Sequence, residues 1–148
     1  MIGIILGSPS DLPVAQKGLD LLEELGIPHK MWTLSAHRTP DRLREVIEKS
    51  PQIKAWVGFA GLAAHLCGAM AAHTIVPVLG VPVPAGPLQG EDALLSMVQM
   101  PPGIPVGVVG IGNARNGVLL AAQILAITDP HVAATLQEHR KAGQEKYG

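Results

Sequence analysis

Apolar residues recur along this chain in two alternating rhythms. Ile2 to Leu6 is an unbroken apolar run closed by Gly7, the pattern of a strand buried on both faces. Leu12 to Leu25 then places apolar residues at helical spacing and stops at Gly26-Ile27-Pro28. His29 to Leu34 reads as a second strand. Thr39-Pro40 supplies an N-cap and a first-turn proline for a helix running through about Lys49. Ile53 to Phe59 is a third strand, Leu62 to His73 an Ala- and Leu-rich helix, and Val76 to Val83 a strand broken by Gly80 and Pro82. Asp92 to Met100 is predicted helical, Ile104 to Ile111 a fifth strand, and Gly117 to Ile127 an apolar helix. A polar helix follows Asp129-Pro130.

Strands that alternate with helices at this spacing form βαβ units, whose right-handed crossovers cover both faces of a mostly parallel sheet. The expected fold is therefore α/β: a three-layer αβα, flavodoxin-like (Rossmann-like) domain with about five strands and an extra C-terminal helix. Residues 1–148 read as one domain, with no repeat or linker to divide them. Ligands of such sheets bind beyond the carboxyl ends of the strands, which directs attention to the loops beginning at Gly7, Ser35 and Ala60.

Composition narrows the function. Lys and Arg number 11 against 12 Asp and Glu, so the chain carries no bulk charge with which to hold a nucleic acid. The single cysteine, Cys67, has no disulfide partner, and no Cys/His pairs stand at zinc spacing, which fits a reducing, cytoplasmic setting. No Asp, Glu, Lys or Arg occurs between Lys54 and Glu91, but Gly58, Gly61, Gly68, Pro77, Gly80, Pro82 and Pro84 cut that stretch into pieces too short to span a membrane. The start of the chain has neither the basic lead nor the apolar length of an export signal. Charged residues make up 16% against 47% hydrophobic, a proportion that suggests contact with further subunits. The helices Leu62 to His73 and Gly117 to Ile127 are the expected places, because each is apolar nearly all round.

Each of the three loops carries candidate chemistry. Gly7-Ser8-Pro9-Ser10-Asp11 sets two hydroxyls and a carboxylate at a helix amino terminus, a setting suited to a phosphate with its ribose; the alternative is that Ser10 or Asp11 only caps the helix. In Ser35-Ala36-His37-Arg38-Thr39-Pro40 a guanidinium able to grip a phosphate adjoins an imidazole able to move a proton near neutral pH. Ala60-Gly61-Leu62-Ala63-Ala64-His65-Leu66 adds a second histidine among small residues that let a ligand approach the backbone. For His65 the alternative is a histidine satisfied within the core, for Ser35 a strand-end hydroxyl bonded to backbone, and Cys67 reads as an inert buried thiol. Walker A and GxGxxG patterns are absent.

With Pro77-Val78-Leu79-Gly80-Val81-Pro82-Val83, Leu94-Leu95-Ser96-Met97-Val98-Gln99-Met100-Pro101 and Ile111-Gly112-Asn113-Ala114, these loops give the chain a resemblance along nearly its whole length. It resembles the N5-carboxyaminoimidazole ribonucleotide mutases of purine synthesis, also called the catalytic subunit of phosphoribosylaminoimidazole carboxylase. The resemblance implies an enzyme that moves a carboxylate from the exocyclic nitrogen to ring carbon 4, with no metal and no organic cofactor. By resemblance, Ser8, Ser10 and Arg38 would receive the phosphate and Asp11 the ribose hydroxyls, while the backbone at Ala60 and Gly61 would face the base. His37 would shuttle the proton, with Ser35 and His65 holding carbon dioxide or carboxylates. It also implies a homo-octamer in which the Val98–Pro101 loop and the C-terminal helix reach towards neighbours, a substrate supplied by an ATP-dependent carboxylating synthetase, and a formal kinship to lyases. The rival functions are a carboxylase using free carbon dioxide and a catalytically idle nucleotide-binding relative. In the third loop the family usually has Gly-Ala-Gly-Gly-Ala-Ala-His-Leu-Pro-Gly-Met, whereas this chain has Phe59, Leu62, Cys67 and Ala69 at the first, fourth, ninth and last of those places. Leu62 matters most, because a glycine there can take a positive φ that strains leucine.

Overall fold

The computed structural model describes residues 1–147 and folds them around one parallel sheet. Strands β1 (Ile2–Leu6), β2 (His29–Thr33), β3 (Ala55–Ala60), β4 (Val78–Pro82) and β5 (Gly107–Val108) stand in the order β2-β1-β3-β4-β5, every neighbouring pair parallel. Order 2-1-3-4-5 is that of the flavodoxin-like fold, as the alternation of elements predicts. β1, β3 and β4 are fully buried, which is why they read as continuous apolar runs, while β2 at the edge is largely exposed.

Side-chain alternation divides the core into two. Ile2, Ile4, Leu6, Val57, Phe59 and Val81 face α1 (Leu12–Glu24), α5 (Ala114–Ala126) and α6 (Pro130–Glu145). Ile5, Trp56, Ala60 and Val78 face α2 (Pro40–Glu48), α3 (Leu66–Ala71) and α4 (Glu91–Val98). On this second face Gly58 and Gly80 sit side by side, and a Cβ at Gly58 would come 2.6 Å from Cys67 Sγ. The missing side chains let α3 lie close on the sheet just below the C-terminal ends of β3 and β4.

Several boundaries differ from the sequence reading, each for a local reason. α3 is six residues rather than twelve: Leu62 takes φ 56, which a right-handed helix cannot include, so the helix starts beyond it at Leu66, and it ends in a turn at Ala72-His73. β5 keeps two of the expected eight residues, since Pro105 lacks an N–H and Gly110 and Gly112 turn the chain away. α5 is covered within its own chain: Val118, Ala121, Ala122 and Leu125 are buried where it packs on α1, α6, β3 and β4. The two apolar helices thus shelter one face each on opposite sides of the sheet, while Leu119, Leu120 and Ile124 of α5 and Ala69 and Ala71 of α3 stay only partly buried. Among the described residues no helix is long and apolar enough to cross a membrane.

Candidate functional site

A cavity of about 550 Å³ opens where the strand order switches direction, at the C-terminal ends of β1, β2 and β3. All three loops singled out by sequence enter it. Gly7, Ser8, Ser10 and Asp11 form one wall, Ser35 to Arg38 a second, and Ala60 to Leu66 a third.

The first wall is a single capped turn. Ser8 precedes a short 3-10 turn, Pro9–Asp11, its hydroxyl accepting the Ser10 N–H at 3.4 Å while Asp11 Oδ2 accepts the Ser8 N–H at 2.8 Å. Ser10 Oγ donates to Ser8 Oγ at 2.9 Å, which gathers both hydroxyls at the cavity edge. Asp11 therefore does serve as part of a capping box, one of the two roles open to it in the sequence, and it does so while lining the cavity. Its side chain is buried, and that desolvation holds the carboxyl above its ordinary pKa; the backbone amides of Ser8 and Gly7 and the Arg38 charge pull the other way without cancelling it.

Ser35 organises the second wall. Its hydroxyl accepts the N–H groups of His37 (3.3 Å) and Arg38 (3.1 Å) and the Arg38 Nε–H at 3.4 Å. Bonding to backbone is thus what Ser35 does, and it aims His37 and Arg38 towards the cavity. Thr39 stands at the N-cap of α2 but makes no side-chain cap; its hydroxyl is held by Ser35, accepting that residue's N–H at 2.9 Å and donating to its carbonyl at 3.1 Å. Arg38 reaches across to the Gly7 carbonyl at 3.4 Å, linking the first two walls.

His65 comes from the third wall to meet His37. Nδ1 of His65 and Nε2 of His37 lie 2.7 Å apart with the rings edge-on at 74°, so one ring donates and the other accepts. Both side chains are exposed, which removes the reading of His65 as a core histidine. Ala60 and Gly61 lie at the end of β3, where the Ala60 carbonyl accepts the Val83 N–H at 2.9 Å. A Cβ at Gly61 would crowd Ala85 and the Val83 carbonyl at 3.0–3.1 Å, so the loops after β3 and β4 are in close contact.

The sequence reading missed Ala85 as a wall of the cavity. Pro82-Val83-Pro84-Ala85-Gly86-Pro87 after a strand was the available signal, being a turn at the end of the sheet that bears the other loops. The Leu94–Pro101 and Ile111–Ala114 motifs do not line the cavity of a single chain. Cys67 lies beneath the site, fully buried, its thiol pushed up to about 12 by desolvation and donating weakly to the Gly58 carbonyl at 3.6 Å. It is not a nucleophile. Among the described residues no group of three His, Cys, Asp or Glu side chains comes together as a metal site would. The arrangement therefore offers an anion and polyol site at the Ser8, Ser10, Asp11 and Arg38 end, and a proton-transfer pair at the His37 and His65 end.

Known proteins share this arrangement of chain. A family model described as AIR carboxylase matches residues 1–146. A relative from Pyrococcus abyssi named N5-carboxyaminoimidazole ribonucleotide mutase is 47% identical over 142 residues, 95% of this chain and 82% of its own. Proteins of the same name from Methanocaldococcus jannaschii (47% over 146 residues; 99% of this chain and 92% of that one) and Escherichia coli (47% over 145 residues; 95% and 86%) are similar to the same degree. The crystal structure of Treponema denticola PurE superimposes with a TM-score of 0.89 at 26% identity, covering 99% of this chain and 92% of that chain.

Proposed function

The chain belongs to the AIR carboxylase family, and from that membership we propose that it is an N5-carboxyaminoimidazole ribonucleotide mutase acting in purine synthesis. The observation that carries the reading to the residues is the pairing of His37 with His65 in the same cavity as Arg38 and the Ser8–Asp11 turn. The substrate phosphate lies against Ser8, Ser10 and Arg38, the ribose hydroxyls donate to Asp11, and the base faces the backbone of Ala60 and Gly61. The bond from the exocyclic nitrogen to the carboxyl carbon breaks, releasing carbon dioxide, and that nitrogen takes a proton. Ring carbon 4 then attacks the carbon dioxide, and its own proton leaves to His37. Substrate and product are isomers, so one proton given and one taken close the cycle, which is the work of an imidazole near neutral pH. His65 and Ser35 hold the carbon dioxide and the carboxylates in place. No organic cofactor and no metal enters this scheme.

The same reading makes the enzyme a cytoplasmic homo-octamer that receives its substrate from an ATP-dependent carboxylating synthetase and is formally related to lyases. Exposed apolar side chains on the single chain, Ile75, Leu95 and Val98 among them, support contact between copies. Proton NMR of the carboxylated ribonucleotides with purified protein tests the activity. Interconversion of the two isomers without added bicarbonate is the expected result. Bicarbonate-dependent carboxylation of the parent ribonucleotide, or no reaction, would overturn it, and light scattering that gives a monomer mass would remove the octamer.

A further inference from the structure

Leu62 is held where leucine is rarely found. Its φ of 56 places it in the left-handed region, a position shared by no other non-glycine among the described residues except Gln89. Core burial does not explain this, since the residue is 53% exposed. Backbone strain of this kind persists where the surrounding structure enforces it, and it gathers at ligand sites. A neighbouring loop holds the side chain here. Leu62 Cδ2 lies over Gly86, so close that a Cβ at Gly86 would be 2.7 Å from it, and Gly86 has its own positive φ of 65. The leucine side chain therefore bridges the loop after β3 and the loop after β4, at the end of the cavity that also holds His65 and Ala85.

No Phe, Tyr or Trp among the described residues lines this cavity, whose hydroxyl, carboxylate and guanidinium groups are concentrated on the first two walls. A flat heterocycle attached to a ribose phosphate has a polar seat there but needs an apolar face to leave water for. We propose that Leu62, seated on Gly86, is that face: a specificity-determining residue that packs against the ring of the substrate and contributes nothing to the hold on its phosphate and ribose. The proposal rests on the mutase reading, from which it takes the ring.

Titration with two probes separates the parts. Carboxyaminoimidazole ribonucleotide carries ring, ribose and phosphate, whereas ribose 5-phosphate lacks the ring. Leu62→Asn keeps a residue that tolerates the left-handed region and removes the apolar contact; Leu62→Gly removes the contact and the strain together. Both variants should raise the Kd for the ribonucleotide by about fivefold or more, the effect of losing one or two methylene contacts, while the Kd for ribose 5-phosphate stays within about twofold. KM should rise in step with that Kd. An unchanged ribonucleotide Kd in Leu62→Asn would overturn the proposal, as would parallel weakening of both probes, which would mean that Leu62 only supports the loop. If the folded wild-type chain binds neither probe, the mutase reading fails first, a result distinct from either of those.

Discussion

Replacing Arg38 by alanine tests the polar end of the cavity most directly. This guanidinium is exposed and its bonds are long, 3.4 Å to the Gly7 carbonyl and 3.4 Å from Nε to Ser35 Oγ. Contacts of that length in water contribute little to folding, so thermal unfolding of Arg38→Ala should stay within about 2 °C of wild type, the shift expected for roughly half a kcal/mol in a domain of this size. Binding is another matter. A guanidinium beside the Ser8–Asp11 turn gives a phosphate a charge-assisted bond, and losing it costs about 1.5–3 kcal/mol, or about 10- to 160-fold in Kd. Ring contacts are untouched, so the same loss should appear with ribose 5-phosphate as with the full ribonucleotide. Isothermal titration of both ligands, with a melting curve run alongside, measures each part. An unchanged Kd with an intact fold would mean that the phosphate lies elsewhere, and the roles given to Ser8 and Ser10 would fall with that of Arg38.

His37→Asn should abolish interconversion by NMR while ribonucleotide affinity stays within about threefold, because the amide occupies similar space but exchanges no proton near neutral pH; a variant with most of the wild-type rate would remove His37 from the chemistry. Asp11→Asn should weaken ribose binding yet leave the protein as stable as wild type or more so at pH 7. Burial raises the folded-state pKa of Asp11, so the native state keeps its proton to higher pH than the unfolded chain, and stability falls as pH rises between the two values. The asparagine variant avoids that cost, and its advantage in melting temperature should shrink on acidification through the window towards the unfolded carboxylate value; an advantage that grows on acidification would contradict the assignment. Gly58→Ala should destabilise by about 1–3 kcal/mol, since the added methyl meets the buried Cys67 sulfur. Cys67→Ala in the same chain should recover most of the loss in a denaturant melt.

The apolar rhythm alone determined the layer architecture, because strands buried on both faces cannot avoid writing themselves as continuous apolar runs and because right-handed crossovers leave few ways to join them. It also located the cavity: the segments beginning at Gly7, Ser35 and Ala60 leave the C-terminal ends of strands, and loops at that end of a parallel sheet converge on the switch in strand order. What pattern could not supply was anything that depends on two distant segments meeting. The Nε2 to Nδ1 contact of His37 and His65 joins residues 28 positions apart, and neither residue signals its partner. Ser35 was legible as a polar residue at a strand end, but only the folded loop shows its hydroxyl taken up by the backbone of His37 and Arg38. α5 is apolar nearly all round, and which of its faces the chain itself covers is decided by α1 and α6, which come from opposite ends of the chain. Leu62 shows the division most sharply. Its difference from glycine is visible in one line of sequence, whereas its left-handed backbone and its contact with Gly86, a residue of another loop, are seen only in the folded chain.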